Sequence, residues 1–227
     1  MRLVSQFTTQ NSELRTRLYA IIDAAQIGTR SPLAIFDALV SAGVGLIQYR
    51  DKEGSSRRLF ETSWQLAGRA QECHATFIVN DRADVALAAG ADGVHLGQDD
   101  LPVGLARRVV RAGAVVGCSA HSRAQVEEAD RSSADYIAFG PVFPTQSKQR
   151  PGPPVGLEGL RAARKATGKP LVAIGGITAE NARAVIEAGA DAVAVIGGLL
   201  KHPDVPARAR QFLQILDQCQ PEGKGSG

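Results

Sequence analysis

Residues able to act together on an anion and a cation fall at three places in this chain. The motif QYRDK at 48–52 sets Gln48, Arg50 and Lys52 at alternate positions, so an extended strand puts them on one face. An amide and two cations converging in this way suit a phosphate or diphosphate, with Arg as a planar fork and Lys as a mobile point charge. Further along, VNDR at 79–82 and LGQDD at 96–100 place acids just past two apolar runs. Parallel neighbouring strands lie about 4.8 Å apart, so these carboxylates would share one rim and outline a divalent-cation site. Magnesium is commonly held by one or two carboxylates together with water and substrate phosphates. Asp81 supplies one of them. The second is Asp99 or Asp100, which spacing does not separate. Each acid has a plainer role as the cap of the helix that follows, and QYRDK alone is more often a solvated loop. Two acidic junctions beside a cationic one favour the metal, and Asn80 is placed to hydrogen-bond a ring or a phosphate.

The elements that must position these residues alternate strictly. Apolar runs of strand length occur at 17–22, 45–49, 76–80, 93–96, 115–118, 136–140, 170–174 and 192–196. Helix-like segments lie near 32–42, 57–73, 83–89, 101–112, 123–131, 157–166, 179–188 and 206–217. Short strands separated by helical patterns indicate parallel βαβ units. The run Leu171, Val172, Ala173, Ile174 is apolar on both faces, as a parallel strand buried between layers should be. Three helix-to-strand corners, AGVGLI at 42–47, AGADGV at 89–94 and AGADAV at 188–193, repeat one pattern, with Gly after the helix end. Eight such units predict a single (β/α)8 TIM barrel over 15–219, preceded by a polar arm at 1–14 and followed by a tail at 220–227. An open doubly wound sheet would carry a glycine-rich dinucleotide fingerprint after its first strand. Asp23, Ala24, Ala25 and Gln26 stand there instead.

In a barrel of this kind the chemistry sits at the C-terminal strand ends. After strand five comes Ser119. No acid completes a Ser-His-Asp triad with it, so nucleophilic catalysis is not expected. His121 reads most simply as a surface residue, His95 as a residue in or near the core, and Ser122 and Thr178 as helix caps. The longest loop, 141–155, follows strand six and offers Thr145, Ser147 and Lys148 as donors to an anion. Glycine pairs follow strands seven and eight, at Gly175-Gly176 and Gly197-Gly198. Backbone N–H groups there can grip a phosphate without side chains. The residues alone therefore indicate two anion sites, one cationic and metal-assisted, the other made of backbone amides.

Composition narrows the classes. A 44% apolar content over 227 residues supports a large core, and a net charge of +3 with no basic, aromatic-interleaved run argues against nucleic acid as a partner. No apolar run reaches membrane-spanning length and no signal-peptide core is present. Cys73, Cys118 and Cys219 are widely spaced and odd in number, matching neither a disulfide framework nor a zinc site. The expectation is a soluble protein of the reducing cytoplasm; a homo-oligomer is left open.

Taken in order, QYRDK, VNDR, GADGVHLGQDDLP, GCSAH, FGPVFPTQSK and AIGGI closely resemble the thiamine phosphate synthase family, over about 17–200. That resemblance implies a transferase of thiamine biosynthesis with two phosphorylated substrates. It would join 4-amino-5-hydroxymethyl-2-methylpyrimidine diphosphate to 4-methyl-5-(2-phosphoethyl)thiazole and release diphosphate. It implies Mg2+ on Asp81 and Asp100. It implies that Gln48, Arg50, Lys52, Asn80, Ser119 and Lys148 hold the pyrimidine diphosphate, with Arg50, Lys52, Ser119 and Lys148 at the reacting centre. Thr145, Ser147, Gly176, Ile196 and Gly197 would hold the thiazole phosphate. The choice of Asp100 over Asp99 rests on the resemblance. Two positions depart from the family's habit: Ser147 stands where Thr is frequent, and Gly197 where Ser is frequent. A thiazole tautomerase shares the barrel but lacks the full diphosphate and metal set, and a silent phosphate-binding barrel would not need two acids.

Overall fold

The computed structural model describes residues 7–8, 13–14, 16–145 and 152–219. Eight parallel strands close on themselves: β1 (Leu18–Asp23), β2 (Leu46–Arg50), β3 (Thr76–Asn80), β4 (Gly93–Leu96), β5 (Val115–Ala120), β6 (Tyr136–Phe139), β7 (Leu171–Ile174) and β8 (Ala192–Val195). Each pairs with its neighbour in sequence, and β8 closes the ring on β1 with Val193 opposite Leu18. This is the expected (β/α)8 barrel. Within the polar arm, Phe7–Thr8 and Glu13–Leu14 form a two-residue antiparallel pair; the segment 220–227 lies outside the described residues.

Nearly every strand residue is buried, because helices cover the outer face and the barrel fills its own interior. The helix Ser56–Cys73 shows how the outer layer is specified. Leu59, Ser63, Leu66, Ala67 and Ala70 recur every three or four residues and form its buried stripe. Ser55 caps its start by accepting from the Arg58 N–H at 3.2 Å. Ser122 caps the helix Arg123–Arg131, and Thr178 forms a reciprocal capping box with Asn181, as expected.

Three boundaries differ from the sequence reading in ways that matter to the site. β1 runs one residue further and includes Asp23, β2 includes Arg50, and β5 runs two residues further to Ala120. Two four-residue helices, Ala24–Ile27 and Gly197–Leu200, were not anticipated. They lie after β1 and β8 and are too short to carry a periodic signal.

Candidate active site

A cavity of about 930 Å3 opens at the C-terminal ends of the strands, within the range of small-molecule sites. At one side stand Arg50, Lys52, Asn80, Asp81 and Asp100; at the other, Gly176, Ile196, Gly197 and Lys201, with Ser119 and Thr145 between. The barrel therefore gathers the expected charged strand ends and the glycine-rich ones around a single space.

The cationic side is held by ion pairs. Arg50 Nη1 donates to Asp23 Oδ2 at 2.5 Å, and the Asp23 side chain is 2% exposed. Asp23 also accepts from the Ala25 N–H at 3.0 Å, which fixes its carboxylate. Such a pair is most costly when broken from one side, at about 3–5 kcal/mol. Sequence reading passed over Asp23. The available signal was the parallel register, which sets Asp23 directly opposite Arg50 on adjacent strands.

The acidic side decides between cap and cation. Arg82, not Asp81, is the N-cap of Ala83–Ala89, and Pro102 is the N-cap of Val103–Val109; neither makes a side-chain cap bond. Asp81, Asp99 and Asp100 are therefore not helix caps. Asp81 has φ +64°, a left-handed conformation that costs a non-glycine residue about 1–2 kcal/mol. Its carboxylate meets Lys52 Nζ at 2.6 Å. Burial pushes Asp81 up to about 6, the adjoining Asp100 carboxyl adds to the rise, and Lys52 opposes it. Asp100 Oδ2 accepts from the Gly97 N–H at 2.6 Å, closing the turn after β4 and aiming the carboxyl at Asp81.

Two touching, partly desolvated carboxylates with one lysine are undercharged on the positive side. A divalent cation fits that donor set. Among the described residues no group of three or more His, Cys, Asp or Glu forms a metal cage. Two carboxylates with open space beside them are the arrangement Mg2+ prefers.

Gln48 sits one layer deeper than Arg50. It is 2% exposed, does not line the cavity, and donates from Nε2 to the Tyr19 hydroxyl at 2.8 Å. Ser119 lies within β5, because the strand continues to Ala120, and its Oγ is 3.0 Å from His95 Nε2. His95 is an interior residue, as expected. His121 lies on the cavity wall, where its Nδ1 donates to the Gly140 carbonyl at 2.5 Å. His121 is exposed, as expected of a surface residue, and the surface that it occupies is the cavity wall.

The glycine side is shaped by close approach. Gly176 has φ +64°, and a Cβ there would stand 2.5 Å from the Pro144 carbonyl oxygen. Only glycine lets the loop after β7 touch the loop after β6 so closely. The Gly197 position is not crowded in this way: a Cβ there would lie 3.3 Å from Gln26 Oε1 and 3.5 Å from Lys201 Cε, which puts the Lys201 side chain beside it. Lys201 was not singled out from sequence, because it falls past the last glycine, at the C-cap of the unanticipated short helix. Ser147 and Lys148 lie outside the described residues.

A barrel whose strand ends pair a cationic, acid-bearing face with a glycine-built one defines an enzyme acting on small molecules. A family model for thiamine monophosphate synthase matches residues 18–199. The chain belongs to that family. It is 52% identical over 204 residues to a thiamine-phosphate synthase of Koribacter versatilis (strain Ellin345), covering 88% of this chain and 95% of the relative. It is 43% identical to one of Chloroflexus aurantiacus, covering 90% and 94%. Among solved structures, thiamine phosphate pyrophosphorylase from Pyrococcus furiosus superposes with a TM-score of 0.82 at 33% identity, covering 93% of this chain and 98% of that one. No helix among the described residues is long and apolar enough to cross a membrane.

Proposed function

We infer that this enzyme couples 4-amino-5-hydroxymethyl-2-methylpyrimidine diphosphate with 4-methyl-5-(2-phosphoethyl)thiazole, giving thiamine phosphate and diphosphate. The observation that carries the reading is the Lys52–Asp81–Asp100 cluster facing the glycine-built wall across one cavity. Asp81 and Asp100 would hold Mg2+, which when bound supplies positive charge to diphosphate oxygens.

The remaining steps belong to the chain's own residues. Arg50, fixed by Asp23, and Lys52 would meet the diphosphate together with Asn80 and Ser119; Lys148 would join them by the family resemblance. The methylene–oxygen bond breaks and its electron pair leaves with the diphosphate. The electron-rich pyrimidine stabilises the methylene cation left behind. Preorganised cations that meet charge as it builds on the leaving group are commonly the largest catalytic term. The thiazole nitrogen lone pair then forms the C–N bond. The backbone at Gly176, Ile196 and Gly197, with Thr145 and Ser147, would hold the thiazole phosphate and present that nitrogen. Gln48 would support the pyrimidine from below. No protein nucleophile enters the reaction; the histidine that meets Ser119, His95, has the Tyr136 hydroxyl on its other ring nitrogen. Three unpaired cysteines, Cys73, Cys118 and Cys219, accord with a cytoplasmic setting.

The test combines protein, Mg2+ and both substrates and measures diphosphate and thiamine phosphate. Equal amounts of the two are expected, with no diphosphate when the thiazole is omitted. No release with any order of addition would overturn the reading.

A further inference from the structure

The cavity carries its charges unevenly. The acids that line it, Asp81, Asp99 and Asp100, all stand after β3 or β4. Among the described residues, the Lys and Arg side chains that line it are Arg50, Lys52 and Lys201. The first two already have a carboxylate: Arg50 meets Asp23 at 2.5 Å and Lys52 meets Asp81 at 2.6 Å. Lys201 stands on the glycine-built wall, and no acid of the described residues pairs with it.

Local structure explains where this side chain goes. Lys201 is the C-cap of Gly197–Leu200, and its N–H donates to the Gly197 carbonyl at 3.2 Å. A helical side chain leans back over the turn before it, so that of Lys201 lies over Gly197, four residues earlier. A Cβ on Gly197 would stand 3.5 Å from Lys201 Cε and 3.6 Å from its Cδ. The aliphatic stem thus runs along bare backbone, and Lys201 stays exposed to the cavity. The backbone beneath it is held. A Cβ on Gly198 would meet the Ile177 carbonyl oxygen at 2.6 Å, and Arg208 Nε donates to the Gly198 carbonyl at 3.3 Å.

The chemistry of the ligand completes the argument. A phosphate monoester carries about −1.5 to −2 charges near neutral pH. Backbone N–H groups offer it hydrogen bonds but no net charge. Among the described residues of the glycine wall, Lys201 is the Lys or Arg that can supply one. An ammonium on a flexible stem has three donors and can follow one phosphate oxygen while fixed amides take the others. A hydroxyl in place of the phosphate brings no charge to that ammonium. Lys201 therefore distinguishes the phosphorylated compound from its alcohol.

We propose that Lys201 binds the thiazole phosphate and sets the enzyme's preference for the phosphorylated thiazole over the corresponding alcohol, 4-methyl-5-(2-hydroxyethyl)thiazole. This rests on the coupling reaction assigned above. Lys201 acts on the acceptor's phosphate, away from the breaking methylene–oxygen bond, so its loss changes affinity for the thiazole rather than the chemical step.

Calorimetric titration of each thiazole into the full-length protein tests this without turnover. At low salt the wild type should bind the phosphorylated thiazole more tightly than the alcohol. Lys201→Ala should weaken the phosphorylated compound about two- to fivefold, the worth of one exposed charge, and leave the alcohol unchanged. Lys201→Arg should keep most of the preference, and high salt should erase the difference between wild type and Lys201→Ala. In steady-state assays Lys201→Ala should raise KM for the thiazole phosphate by the same factor at unaltered kcat. Equal losses for phosphate and alcohol would mean a merely structural role. That result, no loss at all, or a wild type that binds both compounds alike would overturn the proposal. An enzyme that bound the thiazole phosphate yet coupled nothing would sink the reaction assigned above, and the titrations would still decide the part played by Lys201.

Discussion

Replacing Gly176 by Ala tests how the glycine side of the cavity is built. At φ +64° an alanine pays about 1 kcal/mol for the left-handed conformation. Its Cβ would also lie 2.5 Å from the Pro144 oxygen, 2.7 Å from Phe143 Cβ and 3.0 Å from the Phe143 carbonyl carbon. Two of these partners are backbone atoms that cannot rotate away, so the loop after β6 must shift. Forced overpacking of this size costs about 2 kcal/mol. A loss of about 3 kcal/mol in a chain of this length lowers Tm by about 6–12 °C. The displaced loop carries Thr145, so KM for the thiazole phosphate should rise at least about tenfold, and KM for the pyrimidine diphosphate should stay within twofold. Thermal unfolding and steady-state kinetics with each substrate varied in turn read both effects. A Tm within 2 °C of wild type together with an unchanged thiazole KM would refute the close approach and the site assigned to it.

Further expectations concern the charged groups. Asp81, raised to about 6, must lose its proton to bind a metal, so Mg2+ affinity measured by calorimetry should be about tenfold lower at pH 5 than at pH 7.5; equal affinity would remove Asp81 from the metal. Without metal, the folded form binds this proton more tightly than the unfolded chain does, so the group's contribution to folding improves as pH falls through about 6. Asp23→Ala strips the partner from Arg50; it should cost about 3 kcal/mol by denaturant titration and raise KM for the pyrimidine diphosphate, whereas wild-type stability would mean that the pair is not structural. Lys201→Ala should raise KM for the thiazole phosphate about two- to fivefold, the worth of one exposed charge, and that rise should vanish at high salt; no change at low salt would exclude Lys201 from the phosphate.

The barrel was legible because its signals are local and repeated. Runs of four to six apolar residues, glycine corners and capping serines each declare themselves within a few positions, and the order β1 to β8 follows from short connections. The rim was legible wherever a strand ended on a charged residue, as at Arg50 and Asp81. What sequence reading missed lies across the barrel. Asp23 gains its meaning only from register with Arg50. Gln48 alternates correctly with Arg50, but alternation does not tell which layer of the interior a residue fills. The link between His95 and Ser119 joins positions 95 and 119 through strands that need folding to meet. The choice between Asp99 and Asp100 was likewise beyond spacing; in the fold it is Asp100 that adjoins the Asp81 carboxyl and accepts from the Gly97 N–H.

The most direct measurement of the central claim, that two acids and two cations face one leaving diphosphate, is Mg2+-dependent diphosphate release by the wild type, Asp81→Ala and Asp100→Ala. The account predicts that the wild type releases diphosphate only with both substrates and Mg2+. Each variant should keep the wild-type circular dichroism spectrum and lose the Mg2+-dependent activity. Full activity in either variant would contradict it.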